Sequence, residues 1–230
     1  MTRRSGRGRR GWAAAGALAL LLCGAAQGTA AATTHEAPAA ATTRAARVFY
    51  GGETMTDGGG DRCTAGYVAT GAGSTDRYIL TAANCTDAAS TWYTDDGVLI
   101  GESTGTGTVG YGLVRVANPD LDARGAVLLD GQPVDVTGST PVPVGSQVCA
   151  ASGPSGTLCG TVTAYDVTVS LPDGTVTGLT QTTLCTGPAD IGAPVLAGGE
   201  AQGVVVGGSG CTTFVLPVDE ALTAFGVELA

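Results

Sequence analysis

Histidine and lysine are almost missing from this chain. All eleven basic residues are arginine, and the one histidine, His35, lies in an Ala/Thr-rich stretch near the N-terminus. Beyond that stretch no side-chain imidazole or amine can take up a proton near neutral pH, which excludes Ser–His and Ser–Lys nucleophile pairs there. No CxxC pair or Cys/His cluster suggests a metal site, and without a histidine beyond that stretch the usual zinc sets are hard to assemble. No metal or cofactor is expected. Aromatic residues make up only 5% of the chain, so Trp92 and Tyr93 read as packing residues rather than a stacking platform. The one long apolar run, Trp12 to Leu22, is too short to span a membrane.

That run does fit an export signal. Arg3, Arg4, Arg7, Arg9 and Arg10 precede it, and small residues from Gly28 to Ala32 offer cleavage positions. Residues 1–32 therefore read as a signal peptide, 33–46 as a short Ala/Thr-rich linker and 47–230 as a secreted globular domain. Leu22 is bulky for a lipoprotein cleavage site, so no stable anchor on Cys23 is expected. After export six Arg face twenty Asp/Glu, formally −14. Such a surface repels nucleic acid and anionic membrane, and reads as the solubility adaptation of an extracellular monomer. Six cysteines remain: Cys63, Cys85, Cys149, Cys159, Cys185 and Cys211. An even count in an exported chain implies a disulfide framework, with fifteen pairings open to it.

The texture beyond Arg47 is all-β. Short apolar runs recur at Tyr78–Thr81, Val98–Ile100, Tyr111–Val116, Val148–Ala151, Gly203–Val206 and Phe214–Leu216, punctuated by Gly, Asp, Asn, Pro and Ser. Gly160 to Thr183 reads as a hairpin turning at Pro172-Asp173-Gly174. One helix is expected, at the C-terminus. There Val218, Leu222 and Phe225 share a face, Asp219 and Glu220 suit the positive end of the dipole, and Gly226 stops it. Acidic turns at Asp57 to Asp61, Asp95-Asp96 and Asp120/Asp122 read as solvated rather than calcium-binding.

In order along the chain, Gly51-Gly52-Glu53 with Arg62-Cys63, Tyr78 to Cys85, Tyr111 to Arg115, Cys185 to Pro194, Gly207 to Phe214 and Pro217 to Gly226 resemble segments of the chymotrypsin-fold serine peptidases of bacteria, of streptogrisin and alpha-lytic type. The resemblance implies two six-stranded antiparallel barrels, about 47–122 and 123–230, with a cleft between them. It also implies disulfides Cys63–Cys85, Cys149–Cys159 and Cys185–Cys211. In such a family the histidine would fall on Asn84, the aspartate on Gly110 and the nucleophilic serine on Ile191. The oxyanion-hole N–H groups would be those of Ala189 and Ile191, and the substrate-pairing strand Val206, Gly207, Gly208 and Ser209. Asp190 would make a buried structural pair.

None of Asn84, Gly110 and Ile191 can act as base, orienter or nucleophile. Ala189 and Ala193 replace two loop glycines, and Ile191 would fill the place of a scissile carbonyl. On these residues the expectation is a secreted, non-catalytic peptidase homologue that holds an unidentified peptide, protein or protease inhibitor in the old cleft. The alternative is an active serine endopeptidase.

Overall fold

The computed structural model describes residues 46–104, 110–171 and 174–230. His35, the signal peptide, most of the linker and the Pro172-Asp173 turn lie outside them. The strands are β1 (Arg47–Gly51), β2 (Thr54–Thr56), β3 (Arg62–Thr64), β4 (Tyr67–Gly71), β5 (Arg77–Ala82), β6 (Thr91–Thr94), β7 (Leu99–Ser103), β8 (Tyr111–Val116) and β9 (Leu121–Leu129). There follow β10 (Gln132–Asp135), β11 (Gln147–Ser152), β12 (Gly156–Leu171), β13 (Gly174–Thr182), β14 (Pro194–Ala197), β15 (Glu200–Ser209), β16 (Thr212–Pro217) and β17 (Val227–Leu229). Two helices interrupt them, α1 (Ala83–Ala88) and α2 (Val218–Phe225), with a 3₁₀ turn at Pro188–Asp190.

The strands fall into two barrel-like sheets, as the resemblance implies. Strands β11-β12-β13-β16-β15-β14 close a barrel, and β17-β4-β5-β8-β7-β6-β2-β3 form the second sheet. A smaller sheet, β1-β9-β10, begins with β1 and β9 running parallel. Short continuous apolar runs mark strands of the first two sheets. In β5, Ile79 and Leu80 are buried while Arg77 is exposed, and in β15 the run Gly203 to Val206 is buried throughout. Strand β8 spans the predicted Tyr111–Val116, and α2 follows the predicted apolar stripe. Gly226 ends α2 in the left-handed conformation, φ +63°, where a side chain would be strained. The chain then returns in β17 to pair with β4, so the last strand closes the edge of the other sheet.

One core cluster gathers Trp92, Tyr67, Tyr111, Phe49 and Leu216, and the other lies among Val148, Val162, Leu184, Val195, Val205 and Val215 of the closed barrel. Trp92 is fully buried with its Nε1 donating to Ser103 Oγ at 3.1 Å, consistent with a packing role. The disulfides are Cys63–Cys85, Cys149–Cys159 and Cys185–Cys211. Each closes a loop of 10 to 26 residues, worth about 2–4 kcal/mol by restricting the unfolded chain.

Candidate active site

Asn84, the second residue of α1, is exposed. No helix is expected here from sequence, because six residues without periodicity or a side-chain cap leave no signal. Ala83 N–H donates to Gly110 O at 3.0 Å, tying α1 to the residue that enters β8. On the other side Cys85 is bonded to Cys63, and the following Thr64 donates its N–H to Ile191 O at 3.0 Å. Asn84, Gly110 and Ile191 thus belong to one connected region, with α1 at its centre.

Gly110 has φ +95°, and a Cβ there would stand 2.7 Å from Leu216 Cδ2 and 3.7 Å from Val176 Cγ1. Both torsion and packing therefore require glycine at this position. Its neighbour Tyr111 is buried and donates to Pro217 O at 2.8 Å and to Glu220 Oε2 at 3.3 Å. Burial, with the Glu220 charge second, pushes this phenol's pKa up. Tyr67 is likewise buried, donating to Val195 O at 2.5 Å and Gly203 O at 3.1 Å, and burial raises its pKa also.

Ile191 is half-buried and packs against both core clusters. It follows a tight turn in which Asp190 N–H donates to Gly187 O at 3.0 Å and Ile191 N–H to Pro188 O at 3.4 Å. One of the two N–H groups expected to form an anion hole is therefore turned onto a carbonyl of its own loop. Thr64, fully buried, holds this loop from below: its Oγ1 donates to Ala189 O at 3.2 Å, and Thr81 Oγ1 donates to Thr64 O at 3.0 Å. Gly192, φ +89°, passes so close that a Cβ would meet Thr81 Oγ1 at 2.2 Å. Nothing in the sequence near Thr64 announces this role, since its partners in the loop, Ala189 and Ile191, are more than a hundred residues away.

Asp190 is buried at 2% exposure. Its Oδ1 accepts from Ser152 Oγ at 2.5 Å and its Oδ2 from Gly187 N–H at 2.7 Å. Among the described residues no arginine pairs with it; the ion pairs join Arg47 to Glu53 and Asp96, Arg62 to Asp95 and Arg124 to Asp122. A hydroxyl and a backbone donor take the place of a cation at this buried carboxylate. Asp57 turns its Oδ1 onto the N–H groups of Gly59, Gly60 and Asp61 at 2.6 to 2.8 Å, stabilising its own loop. No group of three or more His, Cys, Asp or Glu that could hold a metal occurs among the described residues.

Strand β15 pairs with β16 as far as Ser209, but with β14 only as far as Val204. Beyond the bonds of Val205 to Ala193 and Gly192, no described strand covers the second edge of Val206 to Ser209. Gly208 and Ser209 are exposed on that edge, so backbone groups remain there for a strand to add.

The comparisons with known proteins agree on kinship. The chain is 40% identical over 170 residues to Serine protease 2 of Streptomyces fradiae, a match covering 71% of this chain and 97% of that protein. It is 34% identical over 180 residues to Glutamyl endopeptidase 2 of Streptomyces griseus, covering 75% and 95% respectively. Protease A of Thermobifida fusca superposes with a TM-score of 0.70 at 33% identity, covering 80% of this chain and 98% of that one. No protein-family model matches the chain.

These relatives overturn the expectation of a non-catalytic, non-enzymatic homologue. That expectation passed from the side chains at Asn84, Gly110 and Ile191 to the function of the whole protein. Three positions aligned by short motifs exclude one mechanism, not every hydroxyl in the chain. Proteins 33 to 40% identical to it over nearly their whole length are named as proteases. On this similarity in sequence and fold, the chain belongs to the chymotrypsin-fold serine proteases of bacteria, of the streptogrisin and alpha-lytic type.

Proposed function

We propose that this protein is a serine-type endopeptidase that acts outside the cell, as a monomer, on extended polypeptides. Kinship carries the reading: the protein that is 40% identical over 97% of its own length is named a serine protease. The open edge of Val206 to Ser209 suits a substrate backbone laid down as an added strand, with Gly207 and Gly208 offering no side chain to obstruct it. The basic and apolar N-terminal pattern and three disulfides support export. Among the described residues no helix is long and apolar enough to cross a membrane.

Asn84, Gly110 and Ile191 supply neither hydroxyl nor base. Hydrolysis here must draw on another nucleophile. Beside the loop, Ser152 is a hydroxyl in contact with a carboxylate, Asp190 at 2.5 Å, although both are buried. The experiment is digestion of a diverse peptide library by the disulfide-intact protein, with an active bacterial relative alongside. Internal cleavage that follows the intact protein through successive purification steps is expected. Silence beside a working control would remove the hydrolytic reading.

A further inference from the structure

Four connections between strands meet on one side of the molecule. They are the β1–β2 turn at Gly52-Glu53, the β6–β7 turn at Asp95-Asp96, the β9–β10 turn at Asp130-Gly131 and the loop that follows Ser152 at the end of β11. Between them lies a cleft of about 580 Å³, within the range of about 300–1,000 Å³ usual for small-molecule sites. Its charge is one-sided. Glu53, Asp95, Asp96 and Asp130 line it together with Arg47, four carboxylates against one guanidinium. That guanidinium is already held, by Glu53 Oε2 at 2.7 Å and Asp96 Oδ1 at 3.3 Å, and lies 5.7 Å from the centroid of the Phe49 ring. Arg62 reaches Asp95 at 3.4 Å. Among the described residues Asp130 pairs with no cation. Its turn is pinned by its own N–H, which donates to Thr157 Oγ1 at 2.7 Å.

The walls add hydroxyls. Thr54, the first residue of β2, is only 9% exposed and lines the cleft, and its Oγ1 has no hydrogen-bond partner among the described residues. A nearly buried hydroxyl without a protein partner is satisfied when a ligand donates to it. Ser152, also buried, gives its proton to Asp190 Oδ1, so only its lone pairs face the cleft. Acceptors therefore dominate, from carboxylates and hydroxyls alike. No group of three or more acids that could hold a metal ion occurs among the described residues. Acceptors spread in this way suit a broad, planar cation with several donors.

We propose that this cleft binds a guanidinium group carried on a flexible chain, supplied by an arginine side chain of a polypeptide or by a free alkylguanidine. Asp130 and Asp96 receive its N–H donors from the rim, and Thr54 Oγ1 accepts one from the wall. Arg47, held between Glu53 and Asp96, is the same chemistry built into the chain. The site stands whether or not the protein cleaves peptides.

The test titrates ¹⁵N-labelled, disulfide-intact protein at low ionic strength with N-acetyl-arginine N-methylamide and with ethylguanidine. N-acetyl-citrulline N-methylamide, which keeps the shape and loses the charge, is the control. Amides of Glu53, Asp96, Gly131 and Gly153 should move together. Those of Ser139 and Thr223, in a second cleft lined by Asp219 and Glu228, should stay in place. The citrulline compound should bind about 5- to 10-fold more weakly than the arginine compound. Asp130→Asn keeps a residue suited to the left-handed turn and should weaken arginine binding about 2- to 5-fold. Thr54→Val should weaken it about 2- to 10-fold. Tighter binding of the arginine compound than of ethylguanidine assigns the site to polypeptide arginine, and equal binding assigns it to free guanidines. Equal shifts in both clefts, equal affinity for arginine and citrulline compounds, or affinity unchanged by both variants would reduce the effect to general attraction by an acidic surface and overturn the proposal. So would the absence of any shift at about 10 mM ligand. Should Thr54→Val fail to fold, Asp130→Asn decides alone.

Discussion

Gly110 gives the sharpest test of how the structure reads this site. Replacing it with alanine adds one methyl group, which must sit at φ +95° and 2.7 Å from Leu216 Cδ2. Left-handed backbone costs a non-glycine residue about 1–2 kcal/mol. Overpacking against a fully buried leucine adds about 1–3 kcal/mol. Leu216 lies on β16 and Val176 on β13, both of the closed barrel, so neither retreats easily. Gly110→Ala should therefore lower unfolding stability by about 2–5 kcal/mol in urea titrations with an unchanged denaturant slope. Leu216→Ala alone should cost about 2–5 kcal/mol through its cavity. The double mutant should recover about 1–3 kcal/mol of the sum, because the steric part disappears and the torsional part stays. A Gly110→Ala cost below about 0.5 kcal/mol, typical of an unconstrained surface site, would refute this account of the position. The same reasoning predicts that Gly110→Asp unfolds the region instead of supplying a working carboxylate.

Three further outcomes follow from named contacts. Ser152→Ala strips Asp190 Oδ1 of its hydroxyl donor inside the protein and should cost about 2–3 kcal/mol in chemical denaturation, whereas Ser152→Ala with Asp190→Asn should cost less than the sum. Gly226→Ala forces a side chain into the left-handed cap of α2 and should lower stability by about 1 kcal/mol, read as a fall in Tm. Burial raises the Tyr67 pKa above its ordinary value, so its folded form stays neutral where the unfolded phenol ionises. Its contribution is fully present below about pH 10 and is lost as pH rises from there toward the folded value, with a slope near 1.4 kcal/mol per pH unit. Stability measured from about pH 8 to pH 11.5 should show this fall; buried Tyr111 adds a fall of the same kind, so Tyr67→Phe should reduce the slope by Tyr67's share and leave the rest.

Much of the architecture was legible because it depends on local pattern. Strands β8, β11, β15 and β16 coincide with apolar runs, and α2 with a three-residue stripe ended by Gly226. Asp130-Gly131, both with positive φ, makes the β9–β10 hairpin, and this Asp-Gly pair is a readable signal that the sequence analysis does not use. Helix α1 and strand β17 are too short for periodicity to reveal. The six cysteines alone left fifteen pairings, and kinship chose among them. At the site, the sequence identified the residue types at Asn84, Gly110 and Ile191 but not their circumstances. The torsion of Gly110, the Ser152–Asp190 contact and the hold of Thr64 on the loop all depend on distant residues brought together by the sheets. Passing from residue type to whole-protein function was the step that failed, because the chain's relatives are proteases.

Covalent labelling tests the central claim most directly. The disulfide-intact protein is exposed to a serine-directed fluorophosphonate, the adduct counted on the intact chain and mapped after digestion, beside a labelled active relative. A serine-type endopeptidase should take up close to one adduct per molecule on a hydroxyl of this chain, with loss of peptide cleavage in proportion. An unmodified chain beside a fully labelled relative would contradict that function.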